Sequence, residues 1–95
     1  MDASVVFLGR NASIMALVKH QLTRVGHFAE GFTCDEELML RLERGKVTLL
    51  ILGPGVEDGP RNKFRTYCAE RDIPLLEHSG GPDQLLENVR VALGQ

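Results

Sequence analysis

The sequence is poor in the residues that build disulfide frameworks and metal sites. Its two cysteines, Cys34 and Cys68, fall in separate predicted helices, which argues against a disulfide or a shared metal. No Cys-x-x-Cys or His-x-x-x-His spacing occurs, so no zinc pattern is present. We therefore expect no metal and no cofactor. Cys68 is predicted to fill the core, and Cys34 to be an ordinary thiol in the first turn of a helix.

Long apolar runs and blocks of like charge are missing as well. The apolar runs are far shorter than the roughly 20 residues that span a bilayer. The 95 residues carry 11 Lys and Arg against 13 Asp and Glu, a formal charge of -2 without any basic block. This composition argues against a nucleic-acid or membrane partner. Residues 1–4 lead straight into a predicted strand, with no basic or cleavable apolar start, so we expect a cytoplasmic protein.

What the chain does contain is a strand and a helix, repeated four times. Apolar runs at residues 5–8, 28–32, 47–52 and 73–76 are each followed by a stretch with helical spacing. This order is typical of a parallel sheet covered by helices. Right-handed crossovers, with the most apolar runs placed centrally, favour the strand order 2-1-3-4. We predict one flavodoxin-like or Rossmann-like domain over residues 1–95, a three-layer α/β/α sandwich with a four-stranded parallel sheet.

Capping signals predict where the helices begin. Asn11 is placed to cap a helix over residues 12–25. Thr33 and Glu36 match a capping box at the start of the second helix. Pro60 is suited to the first position of the third helix. The core face of the first helix is predicted to carry Ile14, Leu17, Val18, Leu22 and Val25.

The candidate ligand site is the set of segments that follow the strands, because open α/β sheets bind ligands at the carboxyl ends of their strands. Backbone amides there could approach a phosphate at a helix N-terminus. The glycines also fit ordinary strand-to-helix turns. Neither Gly-x-Gly-x-x-Gly nor a P-loop is present, and Glu57 and Asp58 would repel an anion. The candidate ligand-binding residues are Gly9, Arg10, Asn11, Gly53, Gly55, Ser79, Gly80 and Gly81.

No catalytic residue is predicted. Asp58, His78 and Ser79 include the residue types of a hydrolytic triad. His78 and Ser79 are neighbours, however, and successive strand residues point to opposite faces. A nucleophile and its base need convergent side chains, so this pattern does not predict a hydrolase. The adjacent Glu57 and Asp58 are interpreted as a solvated turn rather than a cation site.

About two thirds of the chain resembles a response-regulator receiver domain. Residues 47–52 resemble the strand that carries the phosphoacceptor aspartate in that family, and Pro54 matches its following proline. Residues 72–80 resemble the fourth receiver strand, with Ser79 where receivers place a hydroxyl. Residues 82–93 resemble the last receiver helix. The resemblance implies a flavodoxin-like fold and a role in signalling.

The departures from the receiver pattern fall on its chemical groups. Gly9 and Arg10 stand where a receiver holds Mg²⁺ with carboxylates, the hard oxygen ligands that this cation prefers. Gly53 stands at the phosphoacceptor position, and the fifth strand with its lysine is missing. The resemblance therefore implies a degenerate receiver that does not transfer phosphate by the family mechanism.

The missing fifth strand predicts an open sheet edge at Ile73, Leu75 and Leu76, with no blocking charge within it. Open apolar edges pair with other chains. We therefore expect a non-catalytic signalling or interaction module that meets a protein partner or a second copy through this edge. The alternative hypothesis is a small-ligand module that binds phosphate or a nucleotide at the glycine-rich segments.

Overall fold

Strands and helices alternate along the whole chain. A computed structural model describes residues 4–53, 55–77 and 82–93. All strand pairs are parallel and the order is β2-β1-β3-β4, which confirms the flavodoxin-like prediction. The elements are β1 (Ser4–Leu8), α1 (Ala12–Arg24), β2 (Phe28–Phe32), α2 (Asp35–Glu43), β3 (Leu49–Leu52), α3 (Asp58–Arg71), β4 (Leu75–Glu77) and α4 (Pro82–Ala92).

The sheet separates two apolar cores, because successive strand side chains point to opposite faces. The core under α1 and α4 contains Val5, Phe7, Val18, Leu22, Ala29, Leu49, Ile51, Leu85 and Val89. The core under α2 and α3 contains Val6, Leu8, Leu38, Leu42, Leu50, Leu52, Val56, Phe64 and Cys68. β1 and β3 are therefore buried on both faces, as their continuous apolar runs predict. The three-layer α/β/α sandwich is confirmed.

Two of the three predicted helix starts are wrong. Asn11 does cap α1, where its Oδ1 accepts a hydrogen bond from the Ile14 N–H at 3.1 Å. The cap of α2 is Cys34 rather than Thr33, and it makes no side-chain capping bond. The Thr33 carbonyl instead accepts a hydrogen bond from Arg10 at 2.7 Å, which holds Thr33 in the preceding loop.

The helix α3 begins at Asp58, two residues before Pro60, and its cap is Glu57. The first four N–H groups of a helix have no partner within the helix. Proline is therefore tolerated at any position of the first turn, and Pro60 did not mark the first residue.

Three of the five residues predicted for the core face of α1 are exposed to solvent. Val18 and Leu22 are buried, and Met15 packs beside them. The other predicted core residues are Ile14 at 44%, Leu17 at 43% and Val25 at 54% exposure. They lie on the adjacent side of the helix, because the apolar stripe of α1 is wider than the strip that the sheet covers. Sequence periodicity identified the stripe but not which part of it is covered.

The last two strands begin later than predicted. β3 begins at Leu49 rather than at residue 47, and β4 at Leu75 rather than at residue 73. Ile73 lies before β4, and its N–H donates to the Cys68 carbonyl at 2.9 Å. This bond closes the end of α3, so Ile73 belongs to the helix-to-strand connection.

Both cysteines are free thiols. Cys68 is 1% exposed within the core, as predicted, and burial raises the pKa of its thiol. Cys34 is exposed at the start of α2. The longest helix, α3, has 14 residues. Within the described ranges, no helix combines the length and apolarity that crossing a membrane requires.

The helix α2 offers a matched test of the core. Leu38 is fully buried and Leu40 is 64% exposed on the same helix. We expect Leu38→Ala to lower the free energy of unfolding by about 2–5 kcal/mol, because it removes buried methyl groups and leaves a cavity. Leu40→Ala should change it by less than about 0.5 kcal/mol. Urea denaturation measures both, and equal effects would contradict the assigned faces of α2.

Candidate functional site

The carboxyl edge of the sheet brings together the loops that follow β1 and β3. A Cβ placed on Gly53 would lie 3.3 Å from the Leu8 carbonyl oxygen and 3.8 Å from the Gly9 Cα. A Cβ on Gly55 would lie 3.7 Å from the Arg10 Cβ. The structure therefore places these two predicted segments face to face, as expected at a topological switch point.

Other predicted site residues have different roles or lie elsewhere. The side chain of Asn11 caps α1, so its oxygen is already engaged. Three further candidates, Ser79, Gly80 and Gly81, lie outside the described residues. So does His78, which was considered above as part of a hydrolytic triad. The structure thus places five of the eight candidates, all of them in the loops after β1 and β3.

The side chain of Met15 lies close to Gly9. The glycines with positive φ among the described residues are Gly26 and Gly45, and Gly9 is not one of them. A Cβ on Gly9 would lie 2.6 Å from the Met15 Sδ. The Met15 side chain would therefore have to shift if position 9 carried a Cβ. The turn interpretation of the other glycines stays a prediction.

Arg10 occupies the centre of this edge and binds the connections that precede α2 and α3. Its Nε and Nη2 donate to Glu57 Oε1 at 3.1 and 2.7 Å, and Nη2 also donates to Asp35 Oδ1 at 2.8 Å. Its Nη1 donates to the Thr33 carbonyl at 2.7 Å. A guanidinium has five N–H donors, and four are used here. We call Arg10, Thr33, Asp35 and Glu57 the Arg10 clasp.

A second group of ion pairs extends along the same edge from α3. Arg61 donates from Nη2 to the Gly53 carbonyl at 2.8 Å and from Nη1 to Glu77 Oε1 at 3.0 Å. Arg65 binds the same carboxylate through both of its oxygens, at 2.7 and 3.1 Å. The ends of β3 and β4 are therefore joined to α3. We call Arg61, Arg65 and Glu77 the α3 link.

Asp35 and the three members of the α3 link were not predicted as site residues from the sequence. The available signal was the spacing of Arg61 and Arg65, which are four residues apart and share one helix face. Their partner Glu77 is the last residue of β4. Only the strand order brings this residue within reach of α3.

The two groups of ion pairs fix the charge of this edge. Hydrogen bonds from Arg10 hold the pKa of the Glu57 carboxyl below its usual range. Hydrogen bonds from Arg65, and then from Arg61, do the same for the pKa of Glu77. An anion that approaches Arg10 would compete with Glu57 and Asp35 for its donors. Glu57 Oε1, Asp35 Oδ1 and both carboxylate oxygens of Glu77 accept hydrogen bonds from guanidinium groups. Among the described residues, no three His, Cys, Asp or Glu side chains are grouped to hold a metal ion.

Comparison with known proteins adds no family to this geometry. No protein-family model matches the chain, and no curated protein sequence matches it. Its function is therefore inferred from the fold and from the contacts of its side chains.

The Arg10 clasp predicts a specific pH dependence of stability. Folding lowers the pKa of Glu57. Its contribution to the free energy of unfolding is therefore present above the pKa of the unfolded state, and it is lost as the pH falls through the pKa of the folded state. The free energy of unfolding, measured by urea denaturation, should therefore fall less between about pH 6 and pH 3 in Glu57→Gln than in the wild type.

The control for this experiment is Glu43→Gln, since Glu43 is exposed and makes no ion pair within the described part of the chain. In this variant, the free energy of unfolding should fall with pH as much as it does in the wild type. If the free energy of unfolding falls equally with pH in the wild type and in Glu57→Gln, the Arg10 clasp does not hold this carboxylate in solution.

Proposed function

We propose that this chain is a non-catalytic, receiver-like signalling module that acts through protein contacts, with self-association at the β4 edge as the first of these. We place it in the cytoplasm, a compartment that its two free thiols fit. The kinship with receivers is part of the proposal and is supported by the strand order 2-1-3-4 and by the motifs in the second half of the chain.

The observation that carries the non-catalytic part is the arrangement of the carboxyl edge. The last residue of β3 is Leu52, and the next residue is Gly53, which has no side chain to accept a phosphoryl group. The arginine donors and the carboxylates around it are bound to one another. A phosphate bound by Arg10 or Arg61 would compete with those carboxylates, so we favour a contact module over the small-ligand alternative.

The observation that supports protein contact is the exposed side of β4. This strand pairs with β3 only, and among the described residues no strand lies on its other side. Leu75 and Leu76 are half-buried. The Pro74 carbonyl accepts a hydrogen bond from the Leu50 N–H at 3.0 Å and thus points toward β3. Because backbone groups alternate in direction along a strand, the N–H and carbonyl of Leu75 point to the open side.

A two-fold axis beside β4 would satisfy these groups. It would place the β4 strands of two copies antiparallel and continue the sheet across both chains. β4 has only three residues, so the flanking helices α3 and α4 must supply most of the area. A specific interface buries about 1,200–2,000 Å² in total.

Substitutions at Leu75 separate the backbone contact from the side-chain contact. Leu75→Pro removes the outward N–H while leaving the Pro74 carbonyl bound to β3. Leu75→Ala keeps that N–H and loses a similar amount of side-chain packing. In sedimentation equilibrium, we expect the wild type and Leu75→Ala to associate with rising concentration and Leu75→Pro to remain monomeric.

Circular dichroism checks that both variants keep the fold. A wild type that is monomeric throughout the concentration range would contradict self-association at this edge. Equal association of both variants would show that the contact does not use the β4 backbone.

A further inference from the structure

The amino edge of the sheet, opposite the Arg10 clasp, contains a pocket of about 400 Å³. It lies where α2 and α3 end and where the chain turns into β3 and β4. Its apolar wall is formed by Leu42, Val47 and Ile73. Its volume is within the range of about 300–1,000 Å³ that small-molecule pockets occupy. We call it the amino-edge pocket.

The pocket is lined by the two strained residues of the described chain. Lys46 has φ 62° and Asp72 has φ 55°, and no other described residue except glycine has a positive φ. Both line the pocket. Such conformations are uncommon for residues with a Cβ and commonly occur directly after the last turn of a helix. Here they turn the chain sharply after each helix, which brings both helix ends to one cavity.

The charges on the rim of this pocket are not neutralised by one another. Lys46, Glu43 and Asp72 form no ion pair and no side-chain hydrogen bond within the described ranges. Arg71 lies over the Tyr67 ring, 3.9 Å from its centroid, and approaches Glu70 only to 3.7 Å. The carboxyl edge differs in this respect, since Arg10 and Arg61 there are bound to carboxylates.

We propose that the amino-edge pocket binds a zwitterionic amino acid with an apolar side chain. Lys46 and Arg71 supply two cations for its carboxylate, and the stacking on Tyr67 leaves the N–H edges of the Arg71 guanidinium free to donate. Glu43 and Asp72 supply two anions for its ammonium group.

The helix ends and the apolar wall complete this match. The C-termini of α2 and α3 face the pocket, and the partial negative charge there favours the ammonium group of the ligand. Leu42, Val47 and Ile73 accept the apolar side chain. An anion alone would leave Glu43 and Asp72 unmatched, and a cation alone would leave Lys46 unmatched. The argument for this ligand does not use the proposed function, although Ile73 and α3 also flank the β4 edge.

The test is isothermal titration calorimetry of the full chain with L-leucine and two analogues. N-acetyl-L-leucine lacks the ammonium group, and L-leucinamide lacks the carboxylate. We expect saturable binding of L-leucine, and binding of each analogue weakened by at least about tenfold, because each leaves one pair of charges without a partner.

Two variants locate the binding. Lys46→Gly removes the charge but keeps a residue that adopts positive φ readily, and Arg71→Gln removes the second cation. Each should weaken binding of L-leucine by at least about tenfold. The matched control is Lys19→Gln on the exposed side of α1, across the sheet from the pocket, which should bind as the wild type does.

Three results would overturn the proposal. These are the absence of saturable heat with L-leucine, equal affinity for L-leucine and both analogues, and unchanged affinity in both pocket variants. Thermal unfolding of each variant shows that it is folded, so loss of binding in Lys46→Gly and Arg71→Gln is attributed to the pocket.

Discussion

The Arg10 guanidinium joins three connections that the strand order alone leaves separate. It follows β1, and its hydrogen bonds reach the loop before α2 and the residue that caps α3. The partners are 23 to 47 residues away in sequence. A small parallel sheet has few other means of fixing these loops, since its strands here are only three to five residues long. The side chain of Arg10 is 28% exposed, so its bonds are partly shielded from water.

The two edges of the sheet consequently differ in character. At the carboxyl edge, cations and anions are bound to each other and the loops pack closely around Gly9 and Gly53. At the amino edge, charged side chains of both signs surround open volume. The usual expectation for open α/β sheets places ligands at the carboxyl edge. Among the described residues, the rim charges Glu43, Lys46 and Asp72 at the opposite edge have no ion-pair partner.

The fold could be predicted from the sequence because its main determinants are local. The continuous apolar runs of β1 and β3 indicate burial on both faces, and the dilution of β2 with Glu30 and Gly31 indicates an edge. The cap formed by Asn11 acts over three residues and was also predictable. The contacts of the candidate site could be predicted less well from the sequence. Arg10 was identified as a candidate anion ligand, but its partners Asp35 and Glu57 come from distant segments.

The errors have the same cause. Thr33 matched a capping box, but a bond from Arg10 to its carbonyl moved the helix start. Ile14 and Leu17 belong to an apolar stripe, but the covered part of that stripe depends on the position of α1 over the sheet. In both cases a contact between distant residues overrode a local pattern.

The central claim is that, among the described residues of the carboxyl edge, Arg10 and Arg61 are bound to carboxylates of the chain itself. The most direct test is a titration with inorganic phosphate and Mg²⁺, followed by the backbone amide chemical shifts of Gly9, Gly53 and Gly55. We predict no saturable shift of these three amide signals at constant ionic strength. Saturable shifts confined to them would contradict it, because they would show that the Arg10 clasp yields to a ligand.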